Sequence, residues 1–478
     1  MYIPRIRLPW VGVGVTHRNG RGLLPDSTRR TRGAGASERV AMPSHAIQPV
    51  PSSERILALD VLRGWAVFGM LVVNMGYFSQ VALDPPAGSD AVAAALVQLL
   101  ADDKFWTLFS VLFGLGFAMQ LDRAAARESR FAPVYMRRLL ILLLVGLTHA
   151  LLHPLEILHR YALLGFLLLP LRRASTRTLV IVGLVSLLAP PVVQGFGELG
   201  SGDTSVTPES AGQRQADAVR VYSEGSLLEL LTYNVRRFQR EAADMRVLAP
   251  FPYFLLGFYL GRRRLLESLA SHLPLIRRVR WWTLGLGIGL QAVVLPVFFL
   301  PPDMVPPVAR PLFPALLDLG SGILGIFYAC VILILVQHAG WNQRLRGLAA
   351  VGRLALTNYL LQTALITTLL YGYGAGFYGR LGIVTGLPVA LLIFLLQIIS
   401  SHWWIRRFRF GPVEWLWRSA TYGRPQPLRA ASSLGAHVGC FCGAGHQAFH
   451  ERTSRCQAGQ GPWLPSALLR GPVEPGAR

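Results

Sequence analysis

The chain has 478 residues, of which 52% are hydrophobic and only 15% charged, and its mean hydropathy is +0.41. This composition excludes an ordinary soluble protein, because soluble chains of this length carry more charge and shorter apolar runs. The formal net charge of +22 does not indicate nucleic-acid binding, since the arginines cluster between alternate apolar segments as membrane topology requires. No nucleic-acid partner is therefore expected.

The N-terminal segment, residues 1–54, is rich in Arg, Gly, Pro and Ser. It lacks the apolar stretch and the small-residue cleavage site of a secretory signal. We predict that it is disordered and cytoplasmic. Met42 is a plausible alternative start, because everything with a structured pattern follows it.

The membrane domain is predicted at residues 55–427, where apolar runs long enough to cross a bilayer recur. The basic connections alternate with connections that are poor in arginine or acidic, which places both termini in the cytoplasm. The predicted fold class is therefore all-α, a polytopic membrane helix bundle. Ten spans are predicted, at 59–78, 104–121, two within 139–171, 178–194, 248–261, 281–300, 311–337, 348–371 and 382–400.

The first span carries three polar residues, Asp60, Arg63 and Asn74. At about 100° per residue, helix geometry puts all three on one inward stripe. Polar groups inside lipid are costly, so the stripe is a candidate substrate-binding wall. The structural alternative is that Asp60 caps the helix, Arg63 extends to the interface and Asn74 bonds a neighbouring helix. The sequence leaves both interpretations open.

A second polar group follows in residues 148–165. His149 and His153 share one helical face, and Glu156 and His159 follow a turn marked by Pro154. An imidazole beside a carboxylate is suited to general-base catalysis, so His149 and Glu156 are the candidate catalytic residues. A helix-contact role is the alternative. A metal site is not expected, because His-x-x-x-His without the intervening Glu is a weak signal.

The long outer insertion, about 195–247, contains an amphipathic segment at 226–245. It predicts a helix that either lies on the membrane surface or packs as a cap on the outer ends of the spans. Both alternatives stay open.

The ninth span carries side-chain amides at Asn358 and Gln362, four residues apart on one face, with Arg353 at its cytoplasmic entrance. Inward-facing amides either join helices or line a cavity. Arg353, Asn358 and Gln362 are therefore candidate substrate-binding residues. Joining helices is the alternative for either amide alone.

The C-terminal tail, residues 428–478, has the composition of a disordered segment. Its cysteines and histidines match no zinc-finger spacing, so no metal site is predicted there. They are Cys440, Cys442 and Cys456 with His437, His446 and His450.

Several segments together resemble one family. They are LDVLRGWAVFGMLVVN, KFWTLFSVLFGLGFA, RRLLILLLVGLTHALL followed by EILHRYALLG, VGRLALTNYLLQT and FGPVEWLWR. In this order they resemble the YeiB-like bacterial inner-membrane proteins over about residues 55–425. The first motif is also similar to that of heparan-glucosaminide N-acetyltransferase-like proteins. One departure is Leu155-Glu156, where the family usually has Gly-Asp.

The resemblance implies a multi-pass protein of the bacterial inner membrane that is acyltransferase-like. It implies roles for Asp60, Arg63, Asn74 and His149 and for the ninth-span residues Arg353, Asn358 and Gln362. No tightly bound cofactor is expected, and acyl-CoA is the candidate co-substrate. The expected partners are the lipid bilayer and a small-molecule or envelope substrate. A small-solute transporter and a non-enzymatic membrane protein are the alternatives, and the oligomeric state is left open.

Overall fold

The computed structural model describes residues 52–80, 88–126, 131–200, 208–241, 245–294, 304–305 and 312–429. All of them lie in one compact unit, residues 47–478. Within these ranges no strand forms, and one isolated antiparallel bridge pairs Phe408 with Arg429. The predicted disordered N-terminal segment up to residue 51, Met42 and the Cys/His tail from residue 430 lie outside the described residues. The predicted domain limits stay predictions.

Helices account for nearly all of the described chain. In order they are α1 (Ser52–Gln80), α2 (Gly88–Leu100), α3 (Lys104–Ala126), α4 (Phe131–Ala150), α5 (Leu158–Leu171), α6 (Thr176–Gly200), α7 (Pro208–Glu224), α8 (Leu227–Glu241), α9 (Phe251–Arg262), α10 (Leu269–Val294), α11 (Leu312–Val336), α12 (Ala339–Arg344), α13 (Arg346–Arg353), α14 (Ala355–Leu370), α15 (Ile383–Ile405) and α16 (Pro412–Tyr422). A short 3₁₀ helix, Met245–Leu248, precedes α9.

Six of the described segments are long and apolar enough to cross a membrane: Leu57–Phe78, Gly88–Ala126, Phe131–Ala150, Thr176–Val193, Leu312–Val336 and Ile383–Ile405. The α5 and α14 helices are apolar but shorter. Every one of the ten predicted segments contains helix. The predicted all-α polytopic bundle is confirmed, whereas the count of ten spans and the cytoplasmic termini stay predictions.

The outward faces of the long helices carry large apolar side chains that the protein leaves uncovered. On α15 they include Leu392, Leu396 and Ile399, and on α6 Ile181 and Val185, all more than half exposed. Contiguous exposed apolar surface of this kind marks contact with lipid or another protein. On helices of spanning length it fits the hydrocarbon core of a bilayer.

Glycines allow two pairs of helices to approach closely. At the crossing of α3 and α9, a Cβ on Gly114 would overlap the Phe254 carbonyl oxygen, and one on Gly257 would overlap that of Val111. At the crossing of α1 and α13, a Cβ on Gly352 would overlap the Asp60 carbonyl oxygen. Small residues at such crossings are the usual means of close packing in membranes. The second crossing brings the neighbouring Arg353 beside the start of α1.

The ninth predicted span is not one continuous helix. The chain leaves helical geometry at Leu354 (φ −110°, ψ 32°), which separates α13 from α14. Glu414 from α16 caps the new N-terminus, because its Oε1 accepts from the backbone N–H groups of Leu356 (2.8 Å) and Thr357 (3.1 Å). It also accepts from the Thr357 hydroxyl. A carboxylate is well placed there, since the helix dipole is positive at that end.

The outer insertion packs on the bundle. Asn234 of α8 donates from Nδ2 to the Leu151 carbonyl (2.8 Å) and accepts from the Tyr222 hydroxyl of α7 (2.7 Å). The Phe238 ring contacts the His159 ring, with centroids 4.9 Å apart. Of the two alternatives for the predicted amphipathic helix, these contacts support a cap, here over the turn between α4 and α5.

A buried lysine ties the start of α3 to α11. Lys104 is fully buried, and its Nζ donates to the carbonyls of Gln98 (3.2 Å) and Asp102 (2.9 Å) and to Ser321 Oγ (3.1 Å). Gln291 of α10 donates to the same serine oxygen (2.8 Å). Three acceptors satisfy the three N–H groups of the ammonium, as burial of such a group requires.

Candidate functional site

One cavity of about 480 Å³ lies between α1, α3, α4 and α5, the junction of α13 with α14, and α16. Its mouth is basic. Two carboxylates, Asp60 and Glu414, also line it, together with five arginines: Arg63, Arg123, Arg138, Arg353 and Arg418. This size is in the range of small-molecule sites. With more arginines than carboxylates, the lining favours an anionic ligand.

The sequence-predicted residues Asp60, Arg63 and Arg353 meet at this mouth. Arg63 Nη1 donates to Asp60 Oδ1 (3.1 Å), and the Arg63 side chain stays 37% exposed. The close approach of Gly352 to the Asp60 backbone holds Arg353 next to this pair. Exposed guanidinium groups keep free N–H donors for a bidentate anion.

Sequence reasoning missed the cavity role of α16. Trp417, Arg418 and Arg138 are not among the site residues predicted from the sequence. In the structure the Arg138 guanidinium lies 3.9 Å from the centre of the Trp417 ring, and Trp417 Nε1 donates to the Arg138 carbonyl (2.9 Å). Only the local cluster of aromatic and basic residues hinted at this contact, which pairs residues 279 positions apart.

The inner end of the cavity is apolar and aromatic. Ile157, Leu158, Tyr161 and Tyr359 line it. Tyr161 donates its hydroxyl to the Trp106 carbonyl (2.6 Å), whereas the Tyr359 hydroxyl is buried and has no partner among the described residues. The Tyr359 ring lies against the His149 ring, with centroids 5.1 Å apart. The cavity therefore ends beside the candidate catalytic residues.

His149 lies between a carboxylate and a hydroxyl. Its Nδ1 is 3.3 Å from Glu156 Oε1, and its Nε2 is 2.8 Å from Thr363 Oγ1. An ionised carboxylate only accepts, so Nδ1 carries the proton in the neutral ring and Nε2 accepts from the threonine. This arrangement of acid, base and hydroxyl is the one that activates nucleophiles in enzymes.

Glu156, in the turn between α4 and α5, is held by four donors. They are His149 Nδ1, the N–H groups of Leu158 (2.6 Å) and His159 (2.9 Å), and His159 Nδ1 (2.7 Å). Burial alone would raise the pKa of this carboxyl, but the hydrogen bonds from His149 and His159 outweigh it and hold the pKa at about 2. Glu156 is therefore a permanent anion that orients His149.

His153 lies in the same turn, and its ring forms no hydrogen bond among the described residues. Both ring nitrogens are buried, and the ring packs on Phe78 at 5.5 Å and on His149 at 5.3 Å between centroids. Burial is the main cause that lowers the pKa of His153 to about 3; the positive charge of Arg237 adds to this effect, and the negative charge of Glu156 opposes it. His153 is thus a neutral, packed ring.

The remaining predicted substrate-binding residues lie outside the cavity lining. Asn74 is buried, and its Oδ1 has no partner among the described residues. Asn358 donates to Ser401 Oγ (3.0 Å) and Gln362 to Gln397 Oε1 (2.8 Å). Gln397 in turn donates to the Asn358 carbonyl (2.9 Å). These amides join α14 to α15, and their predicted role in substrate binding stays a prediction.

Within the described ranges, no group of three or more His, Cys, Asp or Glu side chains is arranged to hold a metal ion. The His149, Glu156 and His159 side chains bond to one another in a row with Glu156 at its centre.

Comparison with known proteins covers about four fifths of the chain. Residues 260–424 match the family described as "Protein of unknown function (DUF418)". "Uncharacterized protein YxaH" of Bacillus subtilis (strain 168) is 34% identical over 410 residues, which are 80% of this chain and 98% of that protein. "Uncharacterized protein YeiB" of Escherichia coli (strain K12) is 30% identical over 411 residues, 80% of this chain and 100% of that protein.

A third relative, "Uncharacterized 39.9 kDa protein in amylase 3'region" of Bacillus acidopullulyticus, is 28% identical over 393 residues, 80% of this chain and 98% of that protein. No solved structure matches the chain. The expected similarity to acyltransferases stays a prediction. With relatives that align over almost their full length and apolar helices of spanning length, the chain belongs to the YeiB-like, DUF418-containing family and is a membrane protein.

Proposed function

We propose that this protein is an acyltransferase of the bacterial inner membrane, which moves an acyl group from a cytoplasmic acyl-CoA to an envelope or small-molecule acceptor. The observation that carries the proposal is the cavity itself. It has arginines at its mouth and ends at Tyr359, whose ring contacts His149. The anion-binding entrance thus leads to a tyrosine ring that separates the cavity from the base, since His149 itself does not line the cavity.

The arginines at the cavity mouth are suited to binding the acyl-CoA donor. The excess of arginine in alternate connections favours a cytoplasmic position for this end of the bundle, the compartment in which acyl-CoA is found. Arg63, Arg353 and Arg418 offer forked donors that match phosphate oxygens. The apolar inner wall takes the uncharged pantetheine arm and the acyl group, so the thioester reaches the end beside His149.

The His149 and Glu156 side chains beside the inner end of the cavity are suited to general-base catalysis of acyl transfer. In the neutral ring the His149 Nε2 lone pair accepts a proton from an attacking hydroxyl or amine, and the Glu156 carboxylate stabilises the resulting imidazolium. Glu156 keeps this role at all physiological pH values because its pKa is held at about 2. The family's usual aspartate is shorter, but the glutamate here still reaches Nδ1.

The test is binding and turnover of acyl-CoA by the purified protein. Isothermal titration should show saturable binding of acetyl-, octanoyl- or palmitoyl-CoA, and release of free CoA thiol should accompany transfer. The double variant Arg63→Gln, Arg353→Gln should bind at least about tenfold more weakly, since two charge-assisted contacts are lost. Arg278→Gln is the matched control, because Arg278 is exposed and does not line the cavity.

Absence of binding and thiol release with every acyl-CoA would contradict the proposal. Uptake of a small solute by proteoliposomes, together with that absence, would favour the transporter alternative. The hydrogen bonds of Asn358 and Gln362 to α15 count against a transport path along that face, because the NH2 groups of both amides are already engaged.

A further inference from the structure

We infer that Thr363 is the nucleophile of this site and carries the acyl group as an ester on Oγ1 between donor and acceptor. The inference rests on the proposed acyl transfer and deepens it into a double-displacement reaction. Its basis is the hydrogen-bonded row in which Glu156 contacts His149 and His149 contacts Thr363.

The direction of the hydrogen bonds fits a nucleophile. Glu156 fixes the proton of the neutral His149 ring on Nδ1, so Nε2 receives the hydrogen bond from Thr363 Oγ1 at 2.8 Å. A hydroxyl bonded to a base that a third group orients is the general signature of an activated nucleophile. The three side chains come from α4, the following turn and α14, so the fold assembles the row from distant segments.

The hydroxyl of Thr363 differs from those of most other threonines in the described helices; Thr357, which donates to Glu414, is another exception. Thr148, Thr232 and Thr283 each donate to a backbone carbonyl three or four residues earlier in their own helix. That is the usual way for a helical threonine to satisfy its hydroxyl. Thr363 instead donates across the bundle to His149. The Thr363 hydroxyl therefore forms its hydrogen bond with His149 and not with a backbone carbonyl of its own helix.

The cavity ends one helical turn from this hydroxyl, and Thr363 itself does not line it. Tyr359 lines the inner end and lies four residues before Thr363, on the same face of α14. Its hydroxyl is a buried donor without a partner among the described residues. A thioester that displaces the Tyr359 ring arrives one helical turn from Thr363. The freed phenol then offers a hydrogen bond to the oxyanion that forms on the thioester carbonyl.

The reaction balances without any further reagent. Thr363 Oγ1 attacks the thioester carbonyl carbon, and its proton passes to His149 Nε2. The C–S bond breaks, and the CoA thiolate leaves with the proton from His149. An acceptor hydroxyl or amine then attacks the Thr363 ester, gives its proton to His149 and takes the acyl group. The proton returns to Oγ1, and nothing is oxidised or reduced.

Isotope exchange, together with acid quenching of the acylated protein, tests this route. A double displacement exchanges labelled CoA into acyl-CoA in the absence of any acceptor, and acid-quenched protein should carry the acyl mass on the peptide that contains Thr363. Thr363→Val keeps the shape but removes the hydroxyl, and should lower exchange by about a hundredfold or more. Thr363→Ser should retain it. Thr148→Val, next to His149 but bonded to its own helix, is the control.

The outcomes separate the two proposals. Full exchange by Thr363→Val, an acyl group on another residue, or transfer to an acceptor without exchange would each overturn the role of Thr363 and leave acyl transfer standing. No exchange and no transfer by the unaltered protein, with any acyl-CoA, would overturn both. Thr363→Ser is the control for misfolding. Exchange by this variant would show that position 363 tolerates substitution and that the hydroxyl is what Thr363→Val lacks.

Discussion

The crossing of α3 and α9 yields a stability prediction for the substitution Gly114→Ala. A methyl group there would overlap the Phe254 carbonyl oxygen and stand 2.8 Å from the Phe258 nitrogen, whereas ordinary contact begins at 3.4 Å. The two backbones would have to separate by at least 0.6 Å, the difference between 3.4 Å and the 2.8 Å to the Phe258 nitrogen. Both partners are backbone atoms, so no side-chain rotation relieves the overlap.

The separation would loosen aromatic contacts on both sides of the crossing. Phe113 stacks on Phe254 at 4.6 Å and Phe117 contacts Phe258 at 4.9 Å between ring centroids. A gap of 0.5–1 Å removes about a quarter to a half of the dispersion energy of such contacts. We expect a loss of about 3 kcal/mol in the free energy of unfolding, at the upper end of the overpacking range.

The measurement is thermal unfolding of the detergent-solubilised protein, followed by loss of the monodisperse peak in size-exclusion chromatography. Gly116→Ala is the control, because it lies in the same helix and a methyl group there meets no atom within 4 Å. The alanine at 114 should lower the midpoint by several degrees and the alanine at 116 should leave it unchanged. Equal midpoints for the two variants would refute the close crossing.

Two further predictions concern buried polar groups. Because His153 has a pKa of about 3 in the folded protein and 6.5 ordinarily, the unfolded chain binds more protons between those values, so stability should fall by about 1.4 kcal/mol per pH unit below pH 6.5. His153→Phe should reduce the dependence of the unfolding midpoint on pH between pH 7.5 and 5, a range above that in which Glu156 titrates. An unchanged pH dependence would show that His153 is not its cause. Lys104→Met removes three hydrogen bonds and should cost about 2–4 kcal/mol of unfolding free energy. Ser321→Ala removes one of those three and the hydrogen bond that Gln291 donates, two in all, and should cost less. An equal loss of thermal stability in the two variants would show that the lysine contacts are not the cause.

The parts of the fold that sequence predicts best depend on local pattern. The spans follow from apolar length, and the pairing of His149 with Glu156 follows from a separation of seven residues across a short turn. Asp60, Arg63 and Arg353 share the cavity mouth because each lies at the basic end of an apolar run. Each of these features depends on the spacing of nearby residues or on the distribution of charge between the two sides of the bundle. Both can be read from a single sequence.

The missed residues depend on contacts between distant helices. Thr363 sits 214 positions from His149, and a threonine in an apolar helix gives no sign of which neighbour it will meet. Glu414 reaches α14 from 58 positions away and occupies the helix start that the break at Leu354 creates. Periodicity located the amides Asn358 and Gln362 on one face, but it does not tell which helix that face meets.

The hydrogen bonds between α14 and α15 have a consequence for the angular setting of α14. Asn358 and Gln362 each precede a residue of the proposed site, Tyr359 and Thr363, which therefore lie about 100° further around the helix. With both amides fixed against α15, the helix cannot turn about its axis. A turn of about 15° would move the Thr363 hydroxyl by about 1 Å. The Asn358 and Gln362 amides thus keep the Thr363 hydroxyl oriented toward His149, although neither amide contacts a substrate.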